Sequence, residues 1–166
     1  MKNNITFPIT YWGKNTEVQF MPMDKIVPID QITSCFVFAM HDNKLLMIRP
    51  ERGWGLPGGH REPNETPEDC VRREALEEAV VELGELDLIG AWEAKKIIKT
   101  EKNAKYPDLA YQILYFAKVE KIMPFRSDFE VLERTFVDIK DVPQFHAGYP
   151  NFEAIFLYTL NKYKLK

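Results

Sequence analysis

Four glutamates stand at spacings that suit a metal: Glu65, Glu74, Glu77 and Glu78. The segment carrying the last three reads as a helix. Thr66 offers a hydroxyl for the N-cap, Pro67 takes the first helical position and Asp69 the third. Nothing from there to Ala79 breaks a helix. At about 100° per residue, Val71, Ala75, Leu76 and Ala79 share an apolar face. Glu74, Glu77 and Glu78 lie together on the other side, at i, i+3 and i+4, which puts Glu78 on the solvent side of its helix.

Such a cluster is costly by itself. Like charges at these spacings destabilise a helix by about 0.2–0.5 kcal/mol per pair, and closer approach near a surface raises the cost. A hard divalent cation removes the penalty, because Mg²⁺ and Mn²⁺ prefer carboxylate and carbonyl oxygens. The alternative is a solvated acidic face partly paired by Arg72 and Arg73, since glutamate is a common helix former.

The preceding loop favours the metal. Pro57 pushes Leu56 into an extended conformation. Gly58-Gly59 permits positive φ and lets backbone amides and carbonyls approach a ligand. Glu65 ends the loop near the positive end of the helix dipole. Strand, glycine turn, loop and carboxylate helix come in the order of a site that holds metal and phosphate together.

These residues resemble the Nudix box of the Nudix (MutT-like) hydrolases. The match is Gly59, five residues, Glu65, seven residues, Arg73-Glu74, then Glu77-Glu78, with Trp54-Gly55-Leu56-Pro57-Gly58 as the lead-in. The box, Gly59–Val81, covers 23 of the 166 residues. Val80 stands where the family has glycine, so the helix exit is expected to differ or to run on toward Gly84. The resemblance implies an α/β/α sandwich with a mixed β-sheet flanked by helices. It also implies Mg²⁺ (or Mn²⁺) held by Glu74, Glu77 and Glu78 with a carbonyl of Gly58 or Gly59. Arg73 would be an organiser that pairs with Glu65 and fixes the loop on the helix.

The rest of the chain must position this site. At 166 residues, 45% hydrophobic and 13% aromatic, it reads as one globular chain with a proper core. A net charge of −3 gives no basic footprint for a nucleic-acid duplex. Cys35 and Cys70 have neither disulfide-framework nor zinc spacing. No run of 18 apolar residues suggests a membrane span, and the reading places the protein in the cytoplasm. Residues 1–30 form an N-terminal extension read as a β-hairpin, with strands from Ile5 to Trp12 and Glu17 to Met23 around Gly13-Lys14-Asn15. Residues 31–166 form the hydrolase domain. In it, Ile32 to Met40 is a buried central strand, His41-Asp42-Asn43 a turn, and Lys44 to Ile48 the returning strand. Leu86 to Lys96, Leu109 to Lys118 and Arg134 to Ile139 are further strands. Lys99 to Pro107 is an exposed, mobile loop, and Asn151 to Tyr163 an amphipathic helix.

Three smaller groups bear on function. Glu130 and Glu133 precede the last strand, where many members of the family supply a further carboxylate, and Glu130 is the preferred candidate. Phe145, His146 and Tyr149, near Asn151, are candidates to hold a base, against an ordinary loop. His60 is expected near solvent. Without a Ser-His-Asp arrangement or a Walker-type lysine, covalent catalysis is not the reading.

The reading is a metal-dependent hydrolase of a diphosphate linkage in a nucleoside diphosphate joined to another moiety, with Glu74 or Glu130 as general base. The rival is a nucleotide-sensing module of the same fold without catalysis. The partner is a small-molecule nucleotide, with a homodimer as an open assembly.

Overall fold

The long, largely apolar run Ile32–His41 forms β3, which pairs with three other strands in the middle of the sheet. The structure, a computed structural model, describes residues 5–127 and 130–166. Asp42 and Asn43, at φ 47° and 61°, make the tight turn to β4 (Lys44–Pro50). The two strands pair only at Met40↔Leu45 and His41↔Lys44 before they splay. Into the opening comes β5 (Gly58–His60), antiparallel to β3 from Ser34 to Phe36.

The other edge of β3 pairs in parallel with β8 (Leu109–Ile122), and β7 (Asp87–Lys96) runs antiparallel to β8. The hairpin of β1 (Thr10–Trp12) and β2 (Thr16–Pro22) continues the same sheet, because β2 pairs with β7 from Thr16 to Pro22. On the opposite side β9 (Val131–Asp138) pairs with β4. The strand order is β1-β2-β7-β8-β3-β4-β9, with a short β6 (Val81–Leu83) antiparallel to β8.

Strand alternation gives the sheet two different faces. Cys35, Val37, Ala39, Ile113, Tyr115 and Ala117 face α1 (Pro67–Ala79), which packs Cys70, Val71, Ala75 and Ala79 against them. Phe38, Met40, Met47 and Leu114 face α3 (Tyr149–Tyr163), which answers with Phe152, Ile155 and Phe156. A short α2 (Val142–Phe145) leads into α3. Helices on both faces of a mixed sheet make the α/β/α sandwich that the box implied.

Two expectations need correction. Leu76 is 48% exposed and takes no part in the apolar face of α1, because the narrow seam against small strand residues is filled by Ala75 and Ala79. The helix also does not run on toward Gly84. It ends at Ala79, and Val80 itself adopts the left-handed conformation, φ 53° and ψ 49°. The 99–107 loop is largely exposed but tied down. Thr100 and Asn103 cap a 3-10 turn reciprocally, and Lys96 and Lys99 both pair with Asp108.

Candidate active site

The glycine turn is where backbone, helix and sheet come closest. Gly58 has φ 149°, and a Cβ there would lie 2.6 Å from the Cα of Phe36. A Cβ on Gly59 would lie 2.5 Å from Oε1 of Glu74. Only glycine lets β5 run between β3 and α1 at this distance. The amide of Gly58 donates to Oε2 of Glu78 at 2.8 Å, so the carboxylate is aimed into the turn.

Glu78 is therefore not on the solvent side, as its helical angle suggested. The glycine turn covers that flank of α1. Burial, and then the neighbouring charge of Glu74, push its carboxyl up to about 7 despite the Gly58 hydrogen bond. Burial also raises Glu74.

Arg73 holds the other carboxylates. Its guanidinium donates to both oxygens of Glu65 at 2.8 and 3.1 Å, to Glu74 at 2.9 Å, to Glu77 at 3.1 Å and to the carbonyl of His60 at 3.0 Å. The bidentate bond to Arg73 lowers Glu65, which also accepts from the amide of Glu62. Arg61 donates to the carbonyls of Ile29, Ile32 and Glu65, fixing the same loop from below. Thr66 caps α1 by accepting from the amide of Asp69 at 3.0 Å. At the far end, Arg134 of β9 donates to the carbonyls of Ala79, Val80 and Met123.

The donor set fits Mg²⁺ or Mn²⁺. It is all oxygen, and a cation would offset the cost of the half-buried Glu74 and Glu78 charges. Among the described residues no three acidic, histidine or cysteine side chains form a closed cage. Mg²⁺ seldom needs one, since it commonly binds through one or two carboxylates together with substrate phosphates.

A cavity of about 750 Å³ opens from this turn across the α3 face. Gly58, Gly59, Glu74 and Glu78 line it, as do Arg52, whose charge acts on Glu78, and Glu130. Glu133 points away and pairs with Arg49 on β4. His146 lines the cavity, stacked on Phe152 at 4.4 Å, and burial lowers it to about 4. Phe145 and Tyr149 do not line it: Phe145 leans on Trp54, and Tyr149 on Phe156. His60 is exposed and hydrogen-bonds Tyr106 at 3.1 Å.

Sequence reasoning missed Arg52, Ser34, Phe36, Trp92 and Gln112, which also line the cavity, as does Trp12 of the N-terminal hairpin. A signal existed for two of them. Ser34 and Gln112 are uncharged polar residues just before the long apolar runs 35–40 and 113–117 of the central strands.

A family model described as NUDIX domain matches residues 28–157. The crystal structure of the Bacillus subtilis pyrophosphohydrolase BsRppH is similar, with a TM-score of 0.70 at 21% identity over 91% of this chain and 94% of that one. An ADP-ribose pyrophosphatase from Streptococcus suis has a TM-score of 0.54 at 18% identity, over 79% of this chain and 90% of that one. The NUDIX domain of Shewanella oneidensis NrtR, solved in complex with ADP ribose, has a TM-score of 0.54 at 18% identity, over 81% and 86%. No match is found among the curated proteins. With the match spanning most of the chain, and the glycine turn and carboxylate helix inside it, the chain belongs to the NUDIX domain family.

Proposed function

We propose that this Nudix pyrophosphohydrolase is metal-dependent and cleaves the diphosphate linkage of a nucleoside diphosphate joined to another moiety. The observation that carries the reading is the half-buried pair Glu74 and Glu78, held at the glycine turn beside a cavity of about 750 Å³. A cation would offset the repulsion between these half-buried carboxylates, and the space is of substrate size.

Glu74, Glu77 and Glu78 would hold Mg²⁺ or Mn²⁺, with a carbonyl of Gly58 or Gly59. When bound, the cation supplies Lewis-acid neutralisation of phosphate oxygens. Arg73 keeps the carboxylates in place through Glu65. Arg52, lining the same cavity, attracts the diphosphate. Water attacks one phosphorus in line and the bridging P–O bond breaks. Glu130, or Glu74, takes the water's proton.

Residues 1–30 are, in this proposal, an appendage to the hydrolase domain of residues 31–166, and Trp12 contributes to the cavity wall. Cytoplasmic location and a homodimer belong to the same reading. Light scattering tests the second.

The experiment is a phosphate- and pyrophosphate-release screen over nucleoside diphosphate derivatives, with Mg²⁺ and with excess EDTA. The expected result is turnover that EDTA abolishes and Mg²⁺ restores. Undiminished turnover in EDTA would overturn metal dependence. Nucleotide binding without any turnover would favour the sensing module.

A further inference from the structure

The cavity continues from the glycine turn over a row of residues brought side by side from four strands. His60 on β5 faces Ser34 on β3, Ser34 faces Gln112 on β8, and Gln112 faces Trp92 on β7. From Gly59 on β5 to Gln112 on β8 is two strand spacings, about 10 Å.

Two groups in this row have unmet hydrogen-bonding capacity. Ser34 is 2% exposed and lines the cavity, yet its hydroxyl bonds to no described group. Among the described residues no sealed side-chain polar atom lacks a partner, so the small exposed part of Ser34 includes this hydroxyl, which opens onto the cavity and is free to bond what enters it. The carboxamide of Gln112, half-buried beside it, also makes no hydrogen bond among the described residues. Together they offer an amide donor, an amide acceptor and a hydroxyl that serves as either.

Around this polar pair the walls are aromatic. Trp92 packs edge-on against Phe20 at 5.4 Å and Phe36 at 5.8 Å, so its ring is fixed. Trp12, 45% exposed, lines the same space from the N-terminal hairpin. Flat aromatic walls with a few hydrogen-bonding groups suit a planar heterocycle. Beyond Gln112 a second cavity of about 270 Å³ shares Trp12, His60 and Gln112. Size alone therefore does not select the ligand, and hydrogen bonding must.

We propose that Ser34 and Gln112 read the hydrogen-bonding edge of the substrate's nucleobase, with the rings of Trp92, Phe36 and Trp12 around it. The inference rests on the hydrolase reading only for the diphosphate at the glycine turn. Ser34 and Gln112 are specificity-determining residues and leave the chemistry to the glutamates. A carboxamide can make a bidentate pair with a base edge that carries an adjacent donor and acceptor, and a mismatched base leaves buried groups unpaired.

The test uses the full chain with Mg²⁺ and follows tryptophan fluorescence during titration with ADP, GDP, CDP, UDP and base-free ribose 5-diphosphate. Turnover of matching diphosphate derivatives is measured in parallel. Wild type should prefer one base by tenfold or more in Kd. Gln112→Leu should narrow the spread among bases to less than about threefold, while ribose 5-diphosphate binding stays within about twofold. Ser34→Ala should weaken the preferred base about three- to tenfold. Gln112→Glu, nearly isosteric, replaces the amide donor by an acceptor and should change which base is preferred. Equal Kd for all bases in wild type would overturn the inference. So would an unchanged preference in Gln112→Glu, or equal weakening of every probe in Gln112→Leu. Base-selective binding without turnover of any derivative would support the inference and overturn hydrolysis.

Discussion

The two faces of the sheet solve opposite problems. On the α1 face, charge is concentrated and then pinned. Four hydrogen bonds from Arg73 and one from the Gly58 amide fix four carboxylates over a seam that includes alanines and cysteines. On the α3 face the cavity is broad and aromatic, and the side chains of Ser34 and Gln112 make no hydrogen bond among the described residues. Groups that must hold a fixed geometry are cross-linked to each other. Ser34 and Gln112, which face the space for a ligand, keep their side-chain hydrogen-bonding capacity free among the described residues. The contrast predicts that substitutions around α1 act on kcat, and those on the α3 face act on KM and substrate identity.

The largest effect should come from Glu78→Gln. It removes a charge from the centre of the glutamate cluster and should lower kcat by 10³ or more, about 4 kcal/mol of barrier. The fold should survive, because the amide keeps the shape and the Gly58 contact. Circular dichroism and steady-state kinetics check it. A folded variant that keeps a tenth of wild-type kcat would break the assignment of the α1 face to chemistry.

Next is the contrast between Glu130 and Glu133. Glu130 lines the cavity, whereas Glu133 is occupied by Arg49 on the sheet. Glu130→Gln should lower kcat by about 10²–10⁴ with little change in KM, and Glu133→Gln should do far less. Equal small effects would leave Glu74 as the base.

His146 gives a smaller, pH-dependent effect. Its folded pKa, about 4, lies below the ordinary value of 6.5 because burial disfavours the charged ring. The unfolded chain then binds more protons between those values, so the stability it contributes is intact above pH 6.5 and is lost as pH falls toward 4. At pH 5 the loss is about 1–2 kcal/mol. Urea unfolding of His146→Phe should show a shallower decline from pH 7 to 5. An unchanged slope would mean the ring titrates normally.

The smallest effect should be Val80→Gly. Glycine removes the left-handed strain of a β-branched residue, about 1–2 kcal/mol, but gives up a buried side chain of similar worth. The net change in unfolding free energy should stay within about 1 kcal/mol. A loss above about 2 kcal/mol would show that the strain is absorbed elsewhere, with the Arg134 bonds to the Ala79 and Val80 carbonyls the first place to look.

The amino-acid order alone determined the α1 side. Thr66, Pro67 and the glutamate spacing define a capped helix, and glycines before it define the turn, because all these interactions are local in sequence. The runs Ile32–Met40 and Leu109–Lys118 likewise announced central strands. What the order could not decide is which residues become neighbours across the sheet. Ser34, Gln112 and Trp92 are far apart in the chain, and strand register alone puts them in one row. Register also depends on β5 entering where β3 and β4 splay, a long-range packing event with no local signature. The same reason turned Glu78 inward: its helical angle was correct, but only the folded glycine turn could cover that side. Leu76 failed in the opposite direction, since an apolar residue stays exposed when the facing surface is already filled. Local chemistry was therefore legible in the sequence, and the identity of the substrate-facing wall was decided by tertiary pairing.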